Sequence, residues 1–227
     1  MDSTQQYIWD KVNAYPVTAE GDRFVLNPSR AFSLVEDSFG FTLMVGADTT
    51  SASSFDRARA WLSDCVSNHS MCDVEPNVHA PGRLLLLGHH QDGSIKLVDT
   101  PKQPSSPLQY ACLSYCWGTD AVGVLVTTAE NIEQHSRGIP IEALPKTITD
   151  AVRVCRELQI PYLWVDSLCI IQGDKDDFAR EGYQMDSIYS GSRLTIYAKA
   201  AASCKDGFLG RQRFGGDEWQ HLARTGA

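Results

Sequence analysis

The sequence predicts an α/β domain with a mostly parallel sheet flanked by helices. Strand and helix signals alternate from residue 106 onward, the run Tyr162–Ile171 is apolar almost throughout, and Gln172-Gly173-Asp174 closes that run with a turn. A continuous apolar run bounded by turn signals reads as a strand buried on both faces, as in the middle of a parallel sheet. Alternation of this kind calls for parallel strands joined by right-handed helical crossovers.

Each element follows from its local pattern. Gln109–Tyr115 is a strand rich in aromatic and apolar residues. Pro145 can start a helix whose apolar stripe is Ile148, Ala151, Val152, Cys155 and Leu158, and Pro161 bars its continuation. Tyr162–Ile171 is the buried strand. Asp174 caps a helix running to Tyr189, with Gly191 at its C-terminal end. Arg193–Ala198 is a third strand. The core therefore spans 106–210, preceded by an irregular α+β extension over 1–105 and followed by a short tail, 211–227. Within the extension, 30–46 suits a short hairpin and 47–54 a polar linker. Residues 55–74 have helical spacing, with Ala58, Trp61, Leu62, Cys65, His69 and Cys72 on one face. RLLLLG at 83–88 and SIKLVD at 94–99 read as two strands about a turn.

Composition narrows the function. The 227 residues are 43% hydrophobic and 21% charged, with a net charge of −8 and no basic cluster. A phosphate-tracking surface needs a basic stripe, so nucleic acid is not the expected partner. No basic and apolar leader opens the chain, and no run approaches the roughly 18 apolar residues of a membrane span. Seven cysteines, an odd and scattered set, with Cys112, Cys155 and Cys169 inside apolar patterns, fit a reducing, cytoplasmic location.

Several residues could carry chemistry. Asp166 sits at the far end of the buried strand, where open α/β sheets place their ligands; it can hold a ligand hydroxyl, orient a neighbour or cap the next helix. In a parallel sheet, the loop Ser114-Tyr115-Cys116-Trp117-Gly118-Thr119 joins it at the same edge. Tyr115 and Trp117 offer flat faces for stacking on a base or nicotinamide ring, or anchor the loop in the core. The helix after Asp174 has an apolar stripe of Phe178, Gly182, Met185, Ile188 and Tyr189, with Glu181 inside it. A core-facing carboxylate must be paired, protonated or cavity-lining. Arg153 and Arg193 are the candidate structural partners. Cys169 lacks a nearby His in sequence and reads as a buried structural cysteine. Cys65, His69 and Cys72 form C-x3-H-x2-C, with His79, His89, Cys112 or Cys116 as fourth-ligand candidates, but the spacing matches no standard finger and core packing outweighs metal. No resident cofactor is expected.

The motifs YACLSYCWG (110–118), LPKTITDAVRVCRELQIPYLWVDSLCIIQGD (144–174), Asp177–Glu181–Met185–Ile188-Tyr189 and GFLGR (207–211) together resemble the heterokaryon incompatibility (HET) domain of filamentous fungi. WLSDCVSNHSMC and PGRLLLL resemble the segment that often precedes it. The resemblance implies a trigger of growth arrest or cell death when genetically different cells fuse. HET domains in turn resemble Toll/interleukin-receptor (TIR) domains, which implies a TIR-like, flavodoxin-like sheet. It also implies that Glu181 is the catalytic glutamate of an NAD hydrolase, with Ser114, Tyr115, Trp117, Gly118 and Asp166 contacting substrate. The Ser/Trp/Cys signature of TIR enzymes is replaced here by DDFAREGYQM. A Trp-x-x-Gln-Glu segment common near the end of HET domains is also missing, as in a short paralogue or a truncated domain. The expectations are an NAD glycohydrolase, a non-catalytic death-signalling module that partners with itself or with other signalling domains, or a zinc-stabilised binding domain.

Overall fold

The computed structural model describes residues 48–68, 80–88, 94–100, 108–119, 124–199 and 201–210. In chain order the elements begin with α1 (Ala52–Asn68), β1 (Arg83–Leu86), β2 (Lys96–Asp99) and β3 (Tyr110–Ser114). Then come α2 (Ile132–Arg137), a 3-10 turn at Ile141–Ala143, α3 (Lys146–Glu157), β4 (Tyr162–Trp164), α4 (Asp166–Cys169), α5 (Lys175–Gly182), α6 (Met185–Ser190) and β5 (Leu194–Tyr197).

The strands form one five-stranded sheet in the order β2-β1-β4-β3-β5. β3 is parallel to β4, with Cys112 opposite Trp164, and parallel to β5, with Ser114 opposite Tyr197. β1 is antiparallel to both β2 and β4. The expected mostly parallel sheet is therefore corrected to a mixed one. The 83–99 hairpin belongs to the sheet itself and does not merely pack on it as part of an extension. Hydrophobic patterning identifies strands but not their neighbours, so the sequence left this pairing open. The burial explains it: consecutive Leu84 and Leu85, on opposite faces of β1, are 1% and 0% exposed, as suits an interior strand.

The stripe on α3 is as expected. Ile148, Ala151, Val152 and Cys155 are buried, and Leu158 packs partly against them. Their i, i+3, i+4, i+7 spacing fills one helical face, and sequestering a side chain such as Ile148 contributes about 1.5–3 kcal/mol. Pro145 stands at the N-cap position, where its missing N–H costs nothing.

Two long elements are shorter than the patterns suggest. The strand expected over Tyr162–Ile171 ends at Trp164, and the chain turns into α4. Leu163, Trp164, Val165, Leu168, Cys169 and Ile170 are all buried, and a short apolar run cannot distinguish a strand from a buried helical turn. The helix expected from Asp174 to Tyr189 breaks between Gly182 and Met185. Asp174 does cap its start, accepting from the Asp176 and Asp177 amides at 2.9 and 3.0 Å, and Gly191 follows α6. The apolar stripe fails at Phe178, which is 60% exposed, while Asp177 and Glu181 face inward. Polar anchors described below claim that face.

In α1, Phe55 is the buried residue and Trp61 is 38% exposed, so the expected face is only partly used. Within the expected 47–54 linker, Thr49 exchanges hydrogen bonds with Gly210, Oγ1 accepting from its amide at 2.9 Å. The expected hairpin at 30–46, the turn His89–Gly93 and the 211–227 tail lie outside the described residues. No helix among the described residues is long and apolar enough to cross a membrane.

Candidate functional site at the carboxyl edge of the parallel strands

Because β3, β4 and β5 run in the same direction, the loops that leave them emerge at one edge. β3 lies between β4 and β5, so successive connections depart to opposite sides of it, which creates the switch-point geometry that holds ligands in open α/β sheets. Ser114 ends β3 and Asp166 opens α4 just past β4, both at this edge as expected. The Ser114 carbonyl accepts from the Ala198 amide at 2.9 Å. The Trp117 indole Nε1 donates to both Asp166 oxygens, at 3.3 and 3.2 Å. The Ser167 amide donates to Asp166 Oδ1 at 2.7 Å, and the Tyr115 hydroxyl donates to Ser167 Oγ at 2.9 Å. Gly118 has φ +103°, and a Cβ there would stand 3.0 Å from that of Ser203. The loop thus needs glycine both for its backbone and for close approach to the segment after β5.

Burial pushes the Asp166 carboxyl above its ordinary value, against the opposing pull of the Ser167 amide and the Trp117 indole. The same burial raises the Tyr115 hydroxyl. Asp166 is half-buried and its donors are neutral, so it keeps acceptor capacity toward a ligand hydroxyl.

Glu181 sits elsewhere. It is 4% exposed, and the Gly82 amide donates to its two oxygens at 3.2 and 3.0 Å. Neither expected arginine forms an ion pair with it among the described residues; Arg153 instead donates to the Thr50 carbonyl and lies over the Phe55 ring. One helical turn earlier, Asp177 accepts from Arg83 Nη2, from Arg180 Nη2 and, at 2.7 Å, from the Ile171 amide. Arg83 Nε also donates to the Cys169 carbonyl at 2.8 Å. Asp177 is held below the usual carboxylate range because these donors outweigh its desolvation. Burial pushes the Cys169 thiol up to about 12, as suits the expected buried, unreactive cysteine. No hydrogen bond among the described residues joins Glu181 to the Asp166–Trp117 cluster.

A family model for heterokaryon incompatibility protein (HET) matches residues 110–225, just over half of the chain. The chain belongs to the HET family. Neither a curated protein nor a solved structure matches it. The matched region of this HET chain contains β3, α2 to α6 and β5, and with them the whole carboxyl-edge cluster.

Sequence reasoning about the HET chain missed the residues that hold its site in place. Thr127 accepts from the Gln172 amide at 2.7 Å and donates its own amide to Ser167 at 3.0 Å. Its hydroxyl donates to the Leu168 carbonyl at 2.7 Å, so it accepts from His135 Nδ1 at 2.8 Å. Buried His135 is pushed below its ordinary value by desolvation. These bonds pin α4, and hence Asp166. Asp150, 3% exposed, accepts from the Phe208 and Leu209 amides at 2.8 and 3.0 Å and from Lys146, which fastens GFLG to α3. Arg83 and Asp177 could have been suspected from an arginine opening an apolar strand and a second acid at i−4 from Glu181. Cys65 is half-buried on α1, while His69, Cys72, His79 and His89 lie outside the described residues. Cys112 is buried and Cys116 exposed, and no group of three or more ligand side chains for a metal occurs among the described residues.

Proposed function

We propose that this HET-family chain acts in fungal heterokaryon incompatibility as a trigger of cell death, by hydrolysing NAD at the nicotinamide–ribose bond. The observation that carries the reading is the convergence of Trp117, Tyr115 and Ser114 with Asp166 at the switch point of the parallel strands. The aromatic faces would stack on the nicotinamide or adenine ring and Asp166 would accept from a ribose hydroxyl. Glu181 would stabilise the oxocarbenium-like ribosyl centre as the C1′–N bond breaks. The bonding pair leaves with nicotinamide, water oxygen bonds to C1′, and a proton is released, giving ADP-ribose. This chemistry rests on the resemblance of HET to TIR domains, and it requires Glu181, buried against Gly82, to be uncovered before it can act.

A second reading is a non-catalytic module that self-associates. It is favoured by two exposed aromatic side chains, Phe178 on α5 and Tyr183 just past its end, 60% and 88% exposed. Pure protein incubated with NAD over a range of protein concentrations, assayed for nicotinamide release, separates the two. Release should occur in the wild type and fall by about two or more powers of ten in Glu181→Gln. Absence of release at every concentration, with intrinsic tryptophan fluorescence unmoved by NAD, rejects the hydrolase and leaves the self-associating module.

A further inference from the structure

Glu181 and Asp177 are both buried acids on the inner face of α5, yet they are held very differently. Asp177 has two guanidiniums and an amide. The donor found on Glu181 among the described residues is the single main-chain N–H of Gly82, shared between both oxygens. Gly82 is itself solvent-exposed, whereas Pro81 before it and Arg83 after it are buried. A buried carboxylate therefore lies directly beneath a single exposed residue, Gly82, whose two neighbours are buried. The cover also requires glycine, since a Cβ at position 82 would overlap Glu181 Oε1.

We infer that Ala80-Pro81-Gly82 is an autoinhibitory strap that withholds Glu181 from substrate until the strap is displaced. The inference rests on Glu181 being the hydrolytic carboxylate and adds the regulation of that site. Asp177 and its arginines keep α5 and β1 in place when the strap moves, so opening is local: the Gly82 amide is withdrawn from Glu181, the Gly82 carbonyl gives up the Thr100 amide it accepts from at 2.9 Å, and one carboxylate enters solvent. A charge exposed this way regains hydration, which offsets the lost bonds and makes a bistable contact reasonable.

Gly82→Ala tests the strap, because the new methyl and the carboxylate cannot share the space, and either the backbone or the side chain must leave the pair. The readouts are the rate at which Glu181 is labelled by a water-soluble carbodiimide with an amine nucleophile, located by peptide mass spectrometry, and nicotinamide release from NAD. In folded Gly82→Ala, Glu181 labelling should rise at least about tenfold, as for a group moved from a covered to an open state, while Asp177 stays unlabelled. Nicotinamide release should rise with it and vanish in Gly82→Ala/Glu181→Gln. Should Gly82→Ala fail to fold, Pro81→Gly loosens the strap without adding an atom near Glu181 and is read by the same two assays. Equal Glu181 labelling in wild type and folded variants overturns the strap. Faster labelling with no nicotinamide from any variant upholds the cover and rejects the hydrolase. Wild-type turnover that depends on Glu181 but is unchanged in the variants upholds the hydrolase and overturns the strap.

Discussion

At the C-terminal side of α4 a carboxylate meets two guanidiniums and an amide, whereas at its N-terminal side the donors to Asp166 are an indole and an amide. Both acids are taken out of water, and burial alone would push both upward. Formal positive charge decides the difference: Asp177 is held below its ordinary value and Asp166 above it. An acid tied to fixed cations is spent on holding the fold together. An acid with neutral donors retains a tunable charge and spare lone pairs, which is the condition for work on a ligand. The contrast separates an anchor from the proposed site at the two ends of one short helix, α4.

The strongest way to break this comparison is Asp177→Asn. Arg83, itself 8% exposed, would lose its counter-charge, at a cost of roughly 3–5 kcal/mol. One turn along, Glu181→Gln keeps an acceptor for the Gly82 amide and removes no counter-ion, so its cost should stay within about 1 kcal/mol. Urea denaturation of both variants checks this. Comparable losses would show that Glu181 is as much an anchor as Asp177 and would weaken the catalytic assignment.

A second test uses pH, and the signs are opposite. Asp177 has a depressed folded pKa, so its stabilisation is complete above the unfolded value, about 3.9, and is lost as pH falls through the folded one. Asp166 has a raised folded pKa: its contribution is complete below about 3.9 and is lost as pH rises through the folded value. The advantage of Asp166→Asn over wild type should therefore grow from pH 4 to pH 7, while the deficit of Asp177→Asn should shrink below pH 4. Denaturation midpoints across pH 3–8 measure both. Parallel slopes would mean that the two environments are not distinct.

The parts of this arrangement that could be read in advance are those set by near neighbours in the chain. The α3 stripe follows from the spacing of Ile148, Ala151, Val152 and Cys155, the α5 cap from Asp174, and the common edge of Ser114 and Asp166 from two apolar strands joined through a helix. The α4 turn was hidden because Leu168, Cys169 and Ile170 are as apolar as a strand would be. The place of β1 beside β4 depends on pairing between residues nearly eighty positions apart, Leu85 with Leu163, which no local pattern reports. The same applies to Gly82 over Glu181 and Arg83 on Asp177. Each is a contact between a residue ahead of the sheet's parallel half and one on its last helices, so the inward-facing acids could be noticed but their partners could not be named.

The smallest expected effect sharpens the Asp166 side. Trp117→Phe keeps a ring against the loop and removes the Nε1–H donor, one of the two influences that lower Asp166 against its desolvation. Without it the charged form loses a neutral hydrogen bond worth about 0.5–1.5 kcal/mol, so the Asp166 carboxyl should titrate at a higher pH still. Side-chain carboxyl 13C shifts followed through a pH titration report this directly. Global stability at neutral pH should change little, because the indole is half-buried and the donor distances of 3.3 and 3.2 Å are long for a charge-assisted bond. An Asp166 midpoint that stays put or falls would mean that the indole does not tune this carboxylate, and Trp117 would then be a packing residue of the loop.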